Sequence, residues 1–248
     1  MKTIMAANWK MNKTRSQGEA LASEVAAGLE KRPEGRDVLI FPPATALNIV
    51  SQSSMGRFET GVQNFYPEEN GAYTGEISAS MVHECGATWV LVGHSERRHI
   101  FNEPDELIAR KVNFAVEHGF KTMLCVGETL EEREAGELRK VLTRQLTSAL
   151  SGQSPEAASS VLAVAYEPVW AIGTGKTATP ADIAEAHGLI RDVLRALFGS
   201  ACEELPILYG GSVKPSNTAQ ILGVDNVNGV LVGGASLEAK SFLDIVFA

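Results

Sequence analysis

Val161-Leu162-Ala163-Val164-Ala165-Tyr166-Glu167-Pro168-Val169-Trp170-Ala171-Ile172-Gly173-Thr174-Gly175-Lys176 joins an apolar run to a carboxylate, a proline and a glycine-punctuated loop. The run Val161 to Tyr166 has the length and branched composition of a buried parallel strand. Glu167 stands at its exit, and Pro168 ends both the strand and its pairing. Beyond lie Trp170 and Ile172, with glycines at 173 and 175. Large apolar side chains on such a loop predict a lid over a site, here Pro168, Val169, Trp170, Ala171, Ile172, Gly173, Thr174, Gly175 and Lys176. The glycines let backbone N–H groups approach an anion. Gly175-Lys176-Thr177 has the tail of a nucleotide P-loop, but Trp170 stands where that motif requires its first glycine.

The pattern of apolar run, polar exit and helix recurs along the chain. Strands are predicted at Thr3–Ala7, Asp37–Phe41, Thr60–Asn64, Trp89–Val92, Lys121–Val126, Val161–Tyr166, Pro206–Tyr209 and Gly229–Val232. Helical stripes separate them, such as Leu21, Val25 and Leu29, or Leu138, Leu142, Leu146 and Leu150. Capping boxes are expected at Ser16-x-x-Glu19 and Thr129-x-x-Glu132, and an N-cap of the last helix at Ser236. Strictly alternating strands and helices require a parallel sheet, because each crossover returns the chain to the same end. Eight such units in about 250 residues suit a closed (β/α)8 barrel. A doubly wound open sheet fits less well, since Asn8-Trp9-Lys10 occupies the place of the usual glycine fingerprint. With no internal repeat or linker, residues 1–248 are expected to form a single barrel domain.

The chain has 248 residues, 44% hydrophobic and 21% charged, with a formal net charge of −8. The acidic balance and the lack of a Lys/Arg run argue against nucleic acid as a partner. No stretch has the length of a membrane span, and the N-terminal apolar run is too short for a signal peptide. Cys85, Cys125 and Cys202 are odd in number and far apart. They read as buried thiols of a reducing, cytoplasmic compartment rather than a disulfide frame or zinc site. No His/Cys/Asp/Glu cluster has metal spacing, so metal-free, cofactor-independent chemistry is expected.

In a parallel barrel the exits of all strands open on one face. That face would gather Asn8 and Lys10, His94 and Glu96, Glu167, the pair Gly211-Ser212, and the pair Gly233-Gly234. Each alone has an ordinary structural reading: a strand-end Glu in a surface ion pair, a satisfied His, a solvated Lys, glycines in tight turns. Together they supply a base, an electrophile, a cation and backbone donors where barrel active sites sit. Glycine-rich exits of strands seven and eight suit a phosphate group. His94 precedes a possible helical turn whose dipole favours a neutral ring. Glu96 could hold Lys10 in the empty site, or pair with Arg97 or Arg98. These parts suit proton abstraction beside a carbonyl of a small phosphorylated substrate, through an enediolate shielded by the lid.

The segments Asn8-Trp9-Lys10-Met11-Asn12, Gly93 to Arg98, Cys125 to Glu128, Ala165 to Lys176, Tyr209 to Val213 and Gly233 to Ser236 stand in an order that resembles the triosephosphate isomerase family over essentially the whole chain. The resemblance implies cofactor-free interconversion of dihydroxyacetone phosphate and D-glyceraldehyde 3-phosphate, in glycolysis and gluconeogenesis. It maps Glu167 to the base, His94 to the electrophile and Lys10 to electrostatic stabiliser, with Asn8 assisting and Glu96 in support. Phosphate and substrate contacts would come from Asn8, Lys10, Gly173, Ser212, Gly233 and Gly234. It also implies a homodimer formed through the loop Phe65–Gly75, with Thr74 near the partner subunit's Asn8 and Lys10. Two rivals are a Schiff-base aldolase using Lys10 and a non-catalytic phosphometabolite-binding barrel.

Overall fold

The computed structural model describes residues 2–172 and 176–248. Eight strands form a closed barrel in sequence order: β1 Thr3–Asn8, β2 Arg36–Phe41, β3 Glu59–Val62, β4 Trp89–Val92, β5 Lys121–Val126, β6 Leu162–Tyr166, β7 Ile207–Tyr209 and β8 Gly229–Val232. Every neighbouring pair is parallel, and β1 closes on β8 with Ile4 opposite Gly229. Around them among the described residues lie α1 Arg15–Gly28, α2 Leu47–Ser53, α3 Ala79–Glu84, α4 Ser95–His99, α5 Asp105–Glu117, α6 Leu130–Glu134, α7 Leu138–Leu150, α8 Pro155–Val161, α9 Pro180–Phe198, α10 Thr218–Leu222 and α11 Ala239–Val246. The expected (β/α)8 architecture is the one found.

Two apolar cores follow from the two faces of each strand. Ile4, Ala6, Leu39, Leu91, Met123, Cys125, Ala163, Ala165, Leu208 and Leu231 fill the barrel interior. Met5, Ala7, Val90, Leu124, Val164 and Val230 face outward onto helix residues such as Leu142, Ile190 and Phe242. The period of two then locates the site. One step beyond Ile4 and Ala6 comes Asn8, and one step beyond Ala163 and Ala165 comes Glu167. The apolar inward series therefore ends in polar groups at the mouth, where water and a ligand can reach them.

Several local details differ from expectation. The capping box of α1 is Thr14 with Gln17, not Ser16 with Glu19. Val161 belongs to α8, so β6 begins at Leu162. Ser236 does not cap the last helix. It is buried in a short 3-10 turn, Gly234–Leu237, and its hydroxyl donates to the Gly233 carbonyl at 2.7 Å. The Phe65–Gly75 loop is exposed from Glu69 to Gly75, but its start is held to the body. Phe65 is fully buried beside Phe114. Glu68 and Glu69 tie the loop to Arg110 of α5 and to His118 at that helix's C-cap, while Tyr73 stays 40% exposed. Among the described residues no helix is long and apolar enough to cross a membrane.

Candidate active site

The exits of β1, β4, β6, β7 and β8 line a cavity of about 340 Å³. Its wall includes Asn8, Lys10, His94, Glu167, Ser212, Gly233 and Gly234, so the structure brings these candidates together. Glu96 lies just outside, against Lys10. Gly173, Thr174 and Gly175 of the expected lid fall outside the described residues. Of the expected lid, Val169–Ala171 form a 3-10 turn, and Ala171 and Ile172 reach the cavity wall.

Glu167 is 2% exposed, and both its carboxylate oxygens are engaged. The Ser95 N–H donates to Oε2 at 2.8 Å, and His94 Nε2 lies 3.0 Å from Oε1. Burial works to raise this carboxyl's pKa, but His94, the Ser95 N–H and Lys10 outweigh it and leave the group below its ordinary range. Glu167 is thus a held, ionised carboxylate.

His94 is the N-cap of α4, as the sequence suggested. The Glu96 N–H donates to its Nδ1 at 3.2 Å. An Nδ1 that accepts a hydrogen bond carries no proton, so the proton sits on Nε2 and is given to Glu167. The ring is therefore a neutral donor aimed into the cavity.

Lys10 Nζ donates to Glu96 Oε1 at 2.8 Å, the first of the two roles considered for Glu96. The Lys10 backbone is left-handed, with φ of 52°, a conformation that costs a residue with a Cβ. Two groups hold it there. Asn8 Oδ1 accepts from the Lys10 N–H at 3.0 Å, and Gln63 Nε2 donates to both the Lys10 and Phe41 carbonyls, at 3.0 and 2.9 Å. A charged Lys10 paired to a carboxylate is poorly prepared for Schiff-base attack, which needs the free amine.

The start of the expected lid is anchored from below. Glu128 is fully buried and accepts from Trp170 Nε1 at 2.8 Å and the Tyr166 hydroxyl at 3.0 Å. Burial pushes the Glu128 carboxyl up against those donors. Sequence reading missed Gln63, the Ser95 N–H and this use of Glu128. Gln63 lies two residues past the inward Gly61 of β3, a periodic signal that could have marked it. The Ser95 N–H depends on backbone approach, and Glu128 on side chains gathered from β6 and the turn after it, neither of which sequence spacing carries. Among the described residues no three His, Cys, Asp or Glu side chains converge as metal ligands.

A second cavity, of about 370 Å³, shares Asn8, Lys10 and His94 and is also lined by Met11, Asn64, Glu76 and Phe101. Met11 is 96% exposed at its rim, and Phe101 63%.

Comparison with known proteins bears on the same residues. The family model of triosephosphate isomerase matches residues 3–248. The chain is 52% identical over 251 residues to a protein of Nitratidesulfovibrio vulgaris strain Miyazaki F, with all of both chains covered. It is 51% identical to one of Oleidesulfovibrio alaskensis over 250 residues, again with full coverage. It is 48% identical to one of Lawsonia intracellularis, covering all of this chain and 98% of the other. Each of these three relatives bears the name triosephosphate isomerase.

Proposed function

The chain belongs to the triosephosphate isomerase family, and from that membership we propose how its barrel mouth interconverts dihydroxyacetone phosphate and D-glyceraldehyde 3-phosphate. The reaction, a step of glycolysis and gluconeogenesis, moves a proton between neighbouring carbons. Glu167 removes the proton from the carbon beside the carbonyl, and His94 Nε2–H stabilises the oxygen that gains charge. Through His94 the hydroxyl proton passes to the former carbonyl oxygen, and Glu167 returns its proton to the former carbonyl carbon, so that hydroxyl and carbonyl exchange places. These roles are the family's, carried to the matching positions of this chain.

The geometry supports them. To reach substrate, the Glu167 carboxylate must give up the Ser95 N–H and the His94 ring. Each donor lost removes a stabiliser of the charged form, so the base strengthens as it engages. The same exchange frees His94 Nε2–H for the substrate oxygen. Lys10 opposes the developing negative charge, held in place by Glu96 and Asn8. Ser212, Gly233 and Gly234 offer backbone donors to the phosphate, and the family's pattern adds Gly173. Closure would keep water from the enediolate and protect its phosphate. This path needs neither metal nor cofactor.

The whole chain, residues 1–248, works as one domain in this reading, in the cytoplasm. A homodimer would cover the exposed Met11, Ile100 and Phe101, with the partner's Phe65–Gly75 loop entering the second cavity beside Lys10. Sedimentation velocity checks this, with a single species of twice the chain mass expected.

The observation that carries the reading is the convergence of Glu167, His94 and Lys10 on one cavity whose far wall is Gly210 to Ser212 and Gly233-Gly234. The test is turnover of glyceraldehyde 3-phosphate to dihydroxyacetone phosphate, with Glu167→Gln alongside. Rapid turnover lost in the variant is expected. Phosphate binding without turnover in the parent protein would point to a binding barrel.

A further inference from the structure

Gln145 stands on the inward face of α7, among Leu138, Leu142, Leu146 and Leu150. It is 3% exposed. An apolar residue would bury there without cost, whereas an amide must find partners. It finds two, both on one residue. The Gly127 N–H donates to Gln145 Oε1 at 2.8 Å, and Gln145 Nε2 donates to the Gly127 carbonyl at 3.1 Å. The side chain thus pairs with Gly127 as a neighbouring strand would, just where β5 has ended.

Gly127 in turn sets where Glu167 lies. On its other flank the Glu167 N–H donates to the Val126 carbonyl at 2.8 Å, and the Val169 N–H to the Glu128 carbonyl at 3.1 Å. A Cβ on Gly127 would fall 1.8 Å from the Glu167 carbonyl oxygen, so the two backbones are pressed together with no side chain between. Gly210 closes the opposite side. Its N–H donates to Tyr166 O at 2.7 Å, and a Cβ there would lie 3.0 Å from Glu167 Cγ. The backbone of Glu167 is therefore clamped between two glycines, and one of them is fixed by Gln145.

We infer that Gln145 is a positioning residue for the base: through its paired bonds to Gly127 it fixes the backbone from which Glu167 moves between its resting and reacting positions. The inference rests on the reading of Glu167 as the base. Gln145 touches neither the cavity nor the groups placed at the phosphate. Its loss should change the proton-transfer step and leave binding alone.

The test uses Gln145→Met, which keeps the length and removes both bonds, Gln145→Glu, whose protonated carboxyl retains one donor and one acceptor, and Glu167→Gln. Active sites are counted by titration with 2-phosphoglycolate, so turnover is expressed per folded site. Gln145→Met should lower kcat about 10- to 100-fold, as misplacement of a reacting group by about 1 Å does. KM and 2-phosphoglycolate affinity should stay within about threefold on this division of roles, and the acid limb of kcat/KM should move. Gln145→Glu should recover most of kcat at pH 6. If the Met variant does not fold, Gln145→Asn, one methylene too short to span both Gly127 atoms, is held to the same criteria. A kcat per folded site within twofold of the parent, with only a lower Tm, would overturn the inference, as would a change confined to KM. An inactive Glu167→Gln beside a fully active Gln145→Met would remove the positioning role alone. An active Glu167→Gln would remove the base itself, and the inference with it.

Discussion

Strands β7 and β8 run between two buried polar clusters, one at each end of the barrel. At their exits, Gly210 to Ser212 and Gly233-Gly234 open onto the cavity that holds His94 and Glu167. At their starts, Arg191 of α9 donates to the carbonyls of Cys202 and Leu205 and to Oδ1 of Asn226 and Asn228. Asn228 also exchanges bonds with Ile207, its Oδ1 accepting from the Ile207 N–H and its N–H donating to the Ile207 carbonyl. His187 Nδ1 donates to the Asn226 carbonyl. Burial does not distinguish the clusters: Glu167 and His94 are 2% and 5% exposed, His187 and Arg191 0% and 5%. What differs is the partners. The Arg191 donors meet fixed neutral oxygens of the strand starts, and neither Arg191 nor His187 lines the two cavities described. The Glu167 and Lys10 bonds each involve a charged side chain that borders a cavity and can exchange partners. Buried charge marks a working site only where there is space beside it and a partner that can be released.

The largest expected contrast comes from the exits. Glu167→Gln should lower kcat about a thousandfold or more, in the range of a lost general base, with Tm within a few degrees of the parent. Comparable activity in the variant would break the division between the two ends. His94→Gln should follow with a loss of about a hundredfold, mostly in kcat, because its donor is needed most when the substrate oxygen is charged. An effect confined to KM would assign His94 to binding.

At the other end the expected loss is in stability. Arg191→Met strands several buried oxygens and should cost about 3 kcal/mol in urea unfolding, with kcat per folded site unchanged. The smallest effect sharpens the contrast through pH. Burial, with Arg191 nearby, holds the His187 ring's pKa down to about 4, and its Nε2 has no partner among the described residues. The unfolded ring, near 6.5, takes up a proton first as pH falls. The stability this group contributes is therefore complete above about pH 6.5 and is lost progressively toward pH 4, by about 3 kcal/mol at the limit. Glu167, held below its ordinary value, stays ionised through most of that window. Urea titrations at pH 7 and 5 should show the decline, and His187→Phe should flatten it. A decline unchanged in the variant would place the titrating group elsewhere.

Much of this arrangement is legible in the sequence. The strand exits are marked by the shift from apolar to polar residues, so Asn8, Lys10, His94, Glu96 and Glu167 fall on one face once the strands are parallel. Local bonding choices are less legible. Thr14-x-x-Gln17 and Ser16-x-x-Glu19 are equally good capping patterns, and only the path of the chain after Asn12 selects the first. Ser236 looked like a cap because the 3-10 turn that redirects its hydroxyl has no strong sequence mark. In the sequence Gln145 is one polar residue beside the leucine stripe of α7, with nothing to single it out. Its meaning depends on a backbone 18 positions away, and no spacing along the helix reports that.

The most direct test of the account sets kcat per folded site beside the free energy of unfolding for Glu167→Gln and Arg191→Met. The account predicts a crossover: Glu167→Gln loses turnover and keeps the parent's stability, while Arg191→Met loses stability and keeps the parent's turnover. Loss of turnover per folded site in Arg191→Met, or full turnover in Glu167→Gln, would contradict it.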